Sequence, residues 1–158
     1  MTDFEALFTD NREFIFKFLM KLTRNASLAE ELTQETFFRA YMNFSSLRKK
    51  DSASVWLCQI ARNTYYSWYN EHKRMESCES TELLREDVSI EEPFLQKELA
   101  GKALACLHEL EEPYKEVFML SVFGGFSRRE ISALFGKSES WARVTFYRAK
   151  QKLLERLR

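Results

Sequence analysis

The chain has 158 residues, 45% apolar and 30% charged, with 24 Lys/Arg balancing 24 Asp/Glu. That suffices for one ordinary domain or two small ones, and four glycines and two prolines favour helices over a turn-rich β fold. No apolar run approaches membrane-spanning length and no signal-peptide layout opens the chain, so a cytoplasmic protein is expected; Cys58, Cys78 and Cys106 form no CxxC pair, so neither a disulfide framework nor a metal site is.

The neutral total conceals a division. Residues 1–74 hold 11 basic and 9 acidic side chains, residues 75–98 hold 2 and 8, and residues 126–158 hold 9 and 3. Nucleic acid responds to local basic surface through counterion release, so the basic tail matters more than the sum.

Residues 3–24 place Phe4, Leu7, Phe8, Phe14, Phe18, Leu19 and Leu22 at helical intervals, with a bend expected near Thr9-Asp10-Asn11. Ser27 and Glu30 have capping-box spacing for a second helix, expected over 28–44. Ala29, Leu32, Thr36, Ala40 and Phe44 share its inner side, while Glu31, Gln34, Glu35, Phe38 and Met42 share the other. Acids interleaved with exposed apolar groups fit a protein-binding surface, although periodicity alone favours an ordinary solvated face.

A polar connector with Arg48, Lys49 and Lys50 leads to a third helix over about 53–73, with Leu57, Ile60, Ala61, Thr64 and Trp68 as its core stripe. Arg62, Tyr66, Tyr69 and Lys73 lie together elsewhere on the wheel, a combination suited to single-stranded nucleic acid because rings stack on bases while cations hold the backbone. Aromatics are more often core than platform. Four rings within five residues cannot all face inward, so some must be exposed or covered by a partner. Residues 75–93 then lose periodicity and gain acid, reading as a linker that keeps off DNA and holds the two halves apart.

Helical pattern resumes with Phe94, Leu95, Leu99, Ala103, Cys106, Leu107 and Leu110, and Pro113 starts the next helix, which runs to Gly124-Gly125. Ser127 with Glu130 makes a capping box, Ile131, Leu134 and Phe135 give a buried face, Gly136 suits a left-handed turn, and Ser138 or Ser140 can cap the last helix. This is a helix-turn-helix layout. Ala142, Phe146, Ala149, Leu153 and Leu157 should bury, leaving Arg143, Val144, Tyr147, Arg148 and Gln151 outward to meet phosphates and base edges. Periodicity alone leaves a DNA reader and an ordinary bundle helix both open. His72 and His108 look isolated, and no cofactor or catalytic site is expected.

Three blocks together carry a resemblance. Ala29-Glu30-Glu31-Leu32-Thr33-Gln34-Glu35-Thr36-Phe37-Phe38-Arg39-Ala40-Tyr41 resembles sigma region 2.2, and Trp56-Leu57-Cys58-Gln59-Ile60-Ala61-Arg62-Asn63 resembles regions 2.3 and 2.4. The stretch from Leu107-His108-Glu109-Leu110 through Leu153 resembles region 4 of the extracytoplasmic-function (ECF) group of bacterial RNA polymerase sigma factors. The resemblance implies an all-α protein of two small helical domains, region 2 over 1–74 and region 4 over 94–158, joined by the acidic linker. It implies that Leu32, Gln34, Glu35 and Phe38 bind the clamp helices of the core polymerase beta-prime subunit. It further implies that region 4 meets the beta flap, and that Asn63 and Leu47 capture a flipped base of the minus-10 element. Arg143, Val144, Tyr147 and Arg148 fall at the family's minus-35 contact positions. An anti-sigma factor, often membrane-anchored, is the implied regulator, and no N-terminal inhibitory region, region 3 or C-terminal extension is expected.

The chain departs from the common pattern at Lys137 after the turn glycine, at Val144 and Thr145, at Leu47 where an aromatic is common, and at Lys49-Lys50 in place of a glycine-containing loop. The rival readings are a stand-alone helix-turn-helix regulator of duplex DNA, and a helical adaptor or bundle enzyme.

Overall fold

The structure, a computed structural model, describes residues 3–47, 53–76 and 101–157. Its elements are α1 (Asp3–Thr23), α2 (Ala26–Met42), a 3-10 turn (Phe44–Ser46), α3 (Ala53–Glu76), a helical stretch over 101–108 (α4), α5 (Tyr114–Val122), α6 (Arg128–Phe135) and α7 (Glu139–Leu157). The all-α expectation holds for the described residues. Helices α1–α3 pack on one another as one bundle and α5–α7 as a second. Residues 77–93 of the expected linker, together with Phe94, Leu95, Leu99 and the basic trio Arg48, Lys49 and Lys50, lie outside the described residues, while 75–76 belong to α3.

α1 is continuous through Thr9-Asp10-Asn11, where a bend was expected. Asparagine usually competes with helix backbone for hydrogen bonds, but here it is satisfied without breaking the helix. The buried Asn11 donates its Nδ2 to the Leu7 carbonyl at 2.9 Å, and its Oδ1 accepts from Ser54 Oγ at 2.6 Å, which ties α1 to the first turn of α3. The α1–α2 turn also differs from expectation. Arg24 takes a left-handed φ of 55°, and Asn25 rather than Ser27 caps α2, accepting from the Leu28 amide at 2.9 Å. Helix α2 therefore begins at Ala26, with Ser27 and Glu30 exposed in its opening turns.

The first core is built from Ile15, Phe18, Leu19 and Leu22 of α1, Ala29, Leu32, Phe37 and Ala40 of α2, and Val55, Leu57, Cys58 and Ala61 of α3. Each large side chain contributes about 1.5–3 kcal/mol on burial. Thr33, Thr36 and Thr64 enter it by donating to the carbonyl four residues earlier, at 2.6, 2.7 and 2.7 Å. Burial pushes the Cys58 thiol far above its ordinary pKa, which leaves it unreactive. The second core gathers Leu107, Leu110, Val117, Leu120, Ile131, Ala149 and Leu153. Phe118 stacks on Phe146 with centroids 5.7 Å apart, while Lys152–Glu111 at 3.1 Å and Arg156–Glu109 at 3.2 Å tie α7 to the segment before α5.

The two bundles are not held apart. α3 packs directly on α5 and α6. Beside that contact, Lys21 Nζ donates to the Phe123 carbonyl at 3.0 Å, and Phe14 meets Phe126 edge-to-face at 5.7 Å. The turn carrying Phe126 to α1 requires its glycine. A Cβ on Gly124 would lie 2.7 Å from the Leu120 carbonyl oxygen and 2.6 Å from the Phe126 ring.

Candidate nucleic-acid interface

The helix-turn-helix is assembled from local bonds. The Glu130 amide donates to Ser127 Oγ at 3.1 Å and the Ser127 amide donates to the Glu130 carboxylate at 3.1 Å, completing the capping box. Gly136 has φ 65°, its amide donates to the Ala133 carbonyl and that of Lys137 to the Ser132 carbonyl, the Schellman closure. Ser138, rather than Ser140, caps the last helix, accepting from the Trp141 amide at 3.1 Å. On α7, Ala142, Ala149 and Leu153 bury as expected, while Phe146 and Leu157 are half-buried. Arg143, Val144, Tyr147, Arg148 and Gln151 are brought together on the exposed side, and none of the ion pairs among the described residues involves Arg143 or Arg148. Thr145 is 5% exposed, so it packs inward and does not interrupt the arginine face, where Val144 remains.

A second surface lies on α2. Gln34, Glu35 and Phe38 are exposed, Phe38 by 59%, and Tyr41 and Met42 beside them stay as open. Leu32, grouped with them in the sequence motif, is 4% exposed because it belongs to the core-facing stripe. It forms the floor of a groove of about 540 Å³ between α2 and α3, with Gln34, Glu35, Phe38, Arg39, Trp68 and Glu71 on its walls. Trp68 stacks on His72 there, centroids 4.6 Å apart and planes 18° apart.

The α3 face differs from its sequence reading. Asn63 is exposed and Leu47 half-buried against the first core, but Arg62 and Tyr66 are buried, 6% and 8% exposed, and Tyr69 is half-buried. Of Lys73 only the backbone is described, in the last turn of α3. The cover comes from the other half of the chain. Arg62 pairs with Glu112 and with Glu116, the latter at 3.4 Å, while Gln59 Nε2 donates to Glu116 at 2.8 Å. Arg62 Nη1 also donates to Asn63 Oδ1 at 2.8 Å. His108 is far from isolated. Its Nε2 bonds the Tyr65 hydroxyl at 2.9 Å, its Nδ1 bonds the Tyr66 hydroxyl at 2.8 Å, and its ring lies 4.5 Å from that of Tyr69.

Electrostatics follow burial. Desolvation presses the Arg62 pKa down against the pull of Glu116, and raises that of Tyr66 against the pull of Arg62. Burial, aided by Lys115, lowers His108 to about 4, so its imidazole is neutral in this arrangement. The sequence did hold a signal for this contact. That signal is limited to two carboxylates four residues apart, Glu112 before α5 and Glu116 in its first turn, and only the fold brings both to Arg62.

Comparison with known proteins agrees with this architecture. Residues 7–75 match the family model for sigma-70 region 2, and residues 100–153 match that for sigma-70 region 4. The chain is 30% identical over 141 residues to the ECF RNA polymerase sigma factor SigM of Bacillus subtilis, covering 88% of this chain and 85% of that one. It is 29% identical over 154 residues to the RNA polymerase sigma factor CarQ of Myxococcus xanthus, covering 98% and 88%. Among solved structures it resembles the sigma factor RpoE of Bartonella quintana, determined with the anti-sigma factor NepR (TM-score 0.58, 21% identity, 99% of this chain and 98% of that one). It also resembles CnrH, determined with the cytosolic domain of CnrY (TM-score 0.61, 18% identity, 98% and 86%). At these identities the structural likeness is one of fold.

Proposed function

This chain belongs to the extracytoplasmic-function group of the sigma-70 family, and from that premise we propose which of its surfaces acts at each stage of promoter engagement. It is a sigma factor that directs RNA polymerase to specific promoters at initiation. Region 4 reads the minus-35 element as duplex. α7 enters the major groove, where Arg143 and Arg148 donate to phosphates and base edges and Val144, Tyr147 and Gln151 complete the contact. The observation that carries this assignment is the exposed arginine–tyrosine face of α7, whose arginines have no ion-pair partner among the described residues.

The groove between α2 and α3 receives the beta-prime clamp helices, with Gln34, Glu35 and Phe38 on its wall and Leu32 at its floor, and region 4 meets the beta flap. Asn63 and Leu47 then take a flipped minus-10 base, while Arg62, Tyr66, Tyr69 and Lys73 hold the separated strand. Unstacking a base costs a few kcal/mol, roughly what a capture pocket and strand contacts return. No step makes or breaks a covalent bond in this chain. It acts as a positioning factor for the polymerase in the cytoplasm, without cofactor or metal. RpoE was determined with the anti-sigma factor NepR, and a regulator of that kind, free or membrane-anchored, is proposed here too.

Run-off transcription with purified core polymerase tests the whole scheme. Promoter-specific transcripts are expected only when polymerase and this chain are both present. Their absence from every minus-35/minus-10 template tried would refute it, and tight binding of the isolated chain to a palindromic duplex would favour a stand-alone regulator.

A further inference from the structure

We propose that the corner formed by α4 and the start of α5 is an internal nucleotide mimic, seated on the minus-10 face of α3 and displaced before that face can take single-stranded DNA. The inference rests on the assignment of Arg62, Tyr66 and Tyr69 to strand binding given above.

A single-stranded nucleotide offers a protein an anion and a flat heterocycle with polar edge atoms. The corner offers both. Glu112 and Glu116 put carboxylates on the Arg62 guanidinium, a fork that takes carboxylate and phosphate oxygens alike. The His108 imidazole lies 4.5 Å from the Tyr69 ring and 5.5 Å from the Tyr65 ring, tilted 43° and 36°, where a base would stack. Both its nitrogens are engaged by tyrosine hydroxyls, as the edge of a base would be. The mimic also reaches the base-capture position, because the guanidinium it holds donates to Asn63 Oδ1.

Buried apolar side chains of the two halves form one continuous cluster. Beside it the contact also buries an arginine and Glu116, 9% exposed, and leaves Arg62 Nε without a hydrogen-bond partner among the described residues. A buried ion pair gives little net stability over an apolar one, so such a seal can yield to a competitor. The competitor that fits is polynucleotide, which supplies phosphates in series where the corner supplies two carboxylates. A free chain closed in this way binds single strands more weakly in proportion to its open fraction, and polymerase that engages both bundles apart from each other removes that penalty.

The test is Glu112→Gln combined with Glu116→Gln in the full chain, since glutamine at 116 keeps a partner for Gln59 while both negative charges facing Arg62 are lost. Small-angle scattering should show the wild type compact and the variant expanded, with helical circular dichroism unchanged. The variant should bind a single-stranded minus-10 oligonucleotide about tenfold more tightly, and transcription by holoenzyme assembled with excess core polymerase should match wild type. Phe126→Ala, which removes the apolar contact to Phe14 without touching any charge, should shift scattering and affinity the same way. Compact scattering and unchanged affinity in both variants would overturn the mimic. Expansion without a gain in affinity would also overturn it, and would place the fault in the assignment of strand binding to this face rather than in the closure.

Discussion

α3 and α7 each set arginine beside tyrosine, yet Arg62 and Tyr66 keep 6% and 8% of their surface while Tyr147 keeps 60%. Among the described residues no element covers the α7 face, and its arginines enter none of the ion pairs. The α3 face is covered by carboxylates and an imidazole from the other half. A helical wheel separates inner from outer residues, but it does not separate water from a second domain. The same side-chain chemistry can therefore stand open on one helix and be occupied on another.

The sharpest way to break this contrast is to remove an arginine from each helix. Arg62→Ala strips the partner from buried Glu116 and should destabilise the closed arrangement by about 3–5 kcal/mol, read as expansion in scattering or a lowered melting temperature. Arg143→Ala should change stability by less than about 0.5 kcal/mol. The loss there should appear in DNA: Arg143→Ala and Arg148→Ala should each weaken minus-35 duplex recognition by about 1–3 kcal/mol, measured by titration of holoenzyme on labelled promoter. Tyrosine hydroxyls should divide likewise. Tyr66→Phe leaves His108 Nδ1 short of its 2.8 Å partner and should cost about 1–3 kcal/mol in a denaturant melt, whereas Tyr147→Phe should be neutral.

The remaining expected effect is one of pH. His108 is faced by Tyr65, Tyr66 and Tyr69 from α3 and by Lys115 from α5, with Arg62 behind Tyr66. Its pKa in the closed form is about 4, below the 6.5 of a free imidazole, so the open form binds more protons between those values. Closure should be strongest above pH 6.5 and weaken as pH falls toward 4, with scattering as the readout. No histidine lies on α7, so duplex contacts by that helix should lack this dependence.

What the sequence disclosed divides by the distance between interacting residues. Ser127 with Glu130, Gly136 with its turn, and the exposed set from Arg143 to Gln151 are fixed by neighbours within one or two helical turns, and all were legible. The capping of α2 was misplaced because Asn25 and Ser27 are both good caps and only the turn at Arg24 decides between them. The bend in α1 was expected from Asn11, whose partner Ser54 is 43 residues away. The closure joins Gln59 to Glu116 across 57 residues, including a stretch that looked like a spacer. Excess aromatics on α3 left exposure and a partner's cover both open, and did not show that the chain itself supplies the cover. Leu32 shows the same limit within a motif, since a shared pattern does not tell floor from rim.

The stacking of Trp68 on His72 makes the groove of region 2 optically active. The stacked His72 ring lies against one face of an indole that itself lines the groove proposed for the clamp helices. Trp56 sits 8% exposed in the first core and Trp141 lies against Phe135 in the other half, so neither shares that environment. A peptide entering the groove would alter the solvent around one indole of three, and the unlabelled protein would report the event by its own fluorescence.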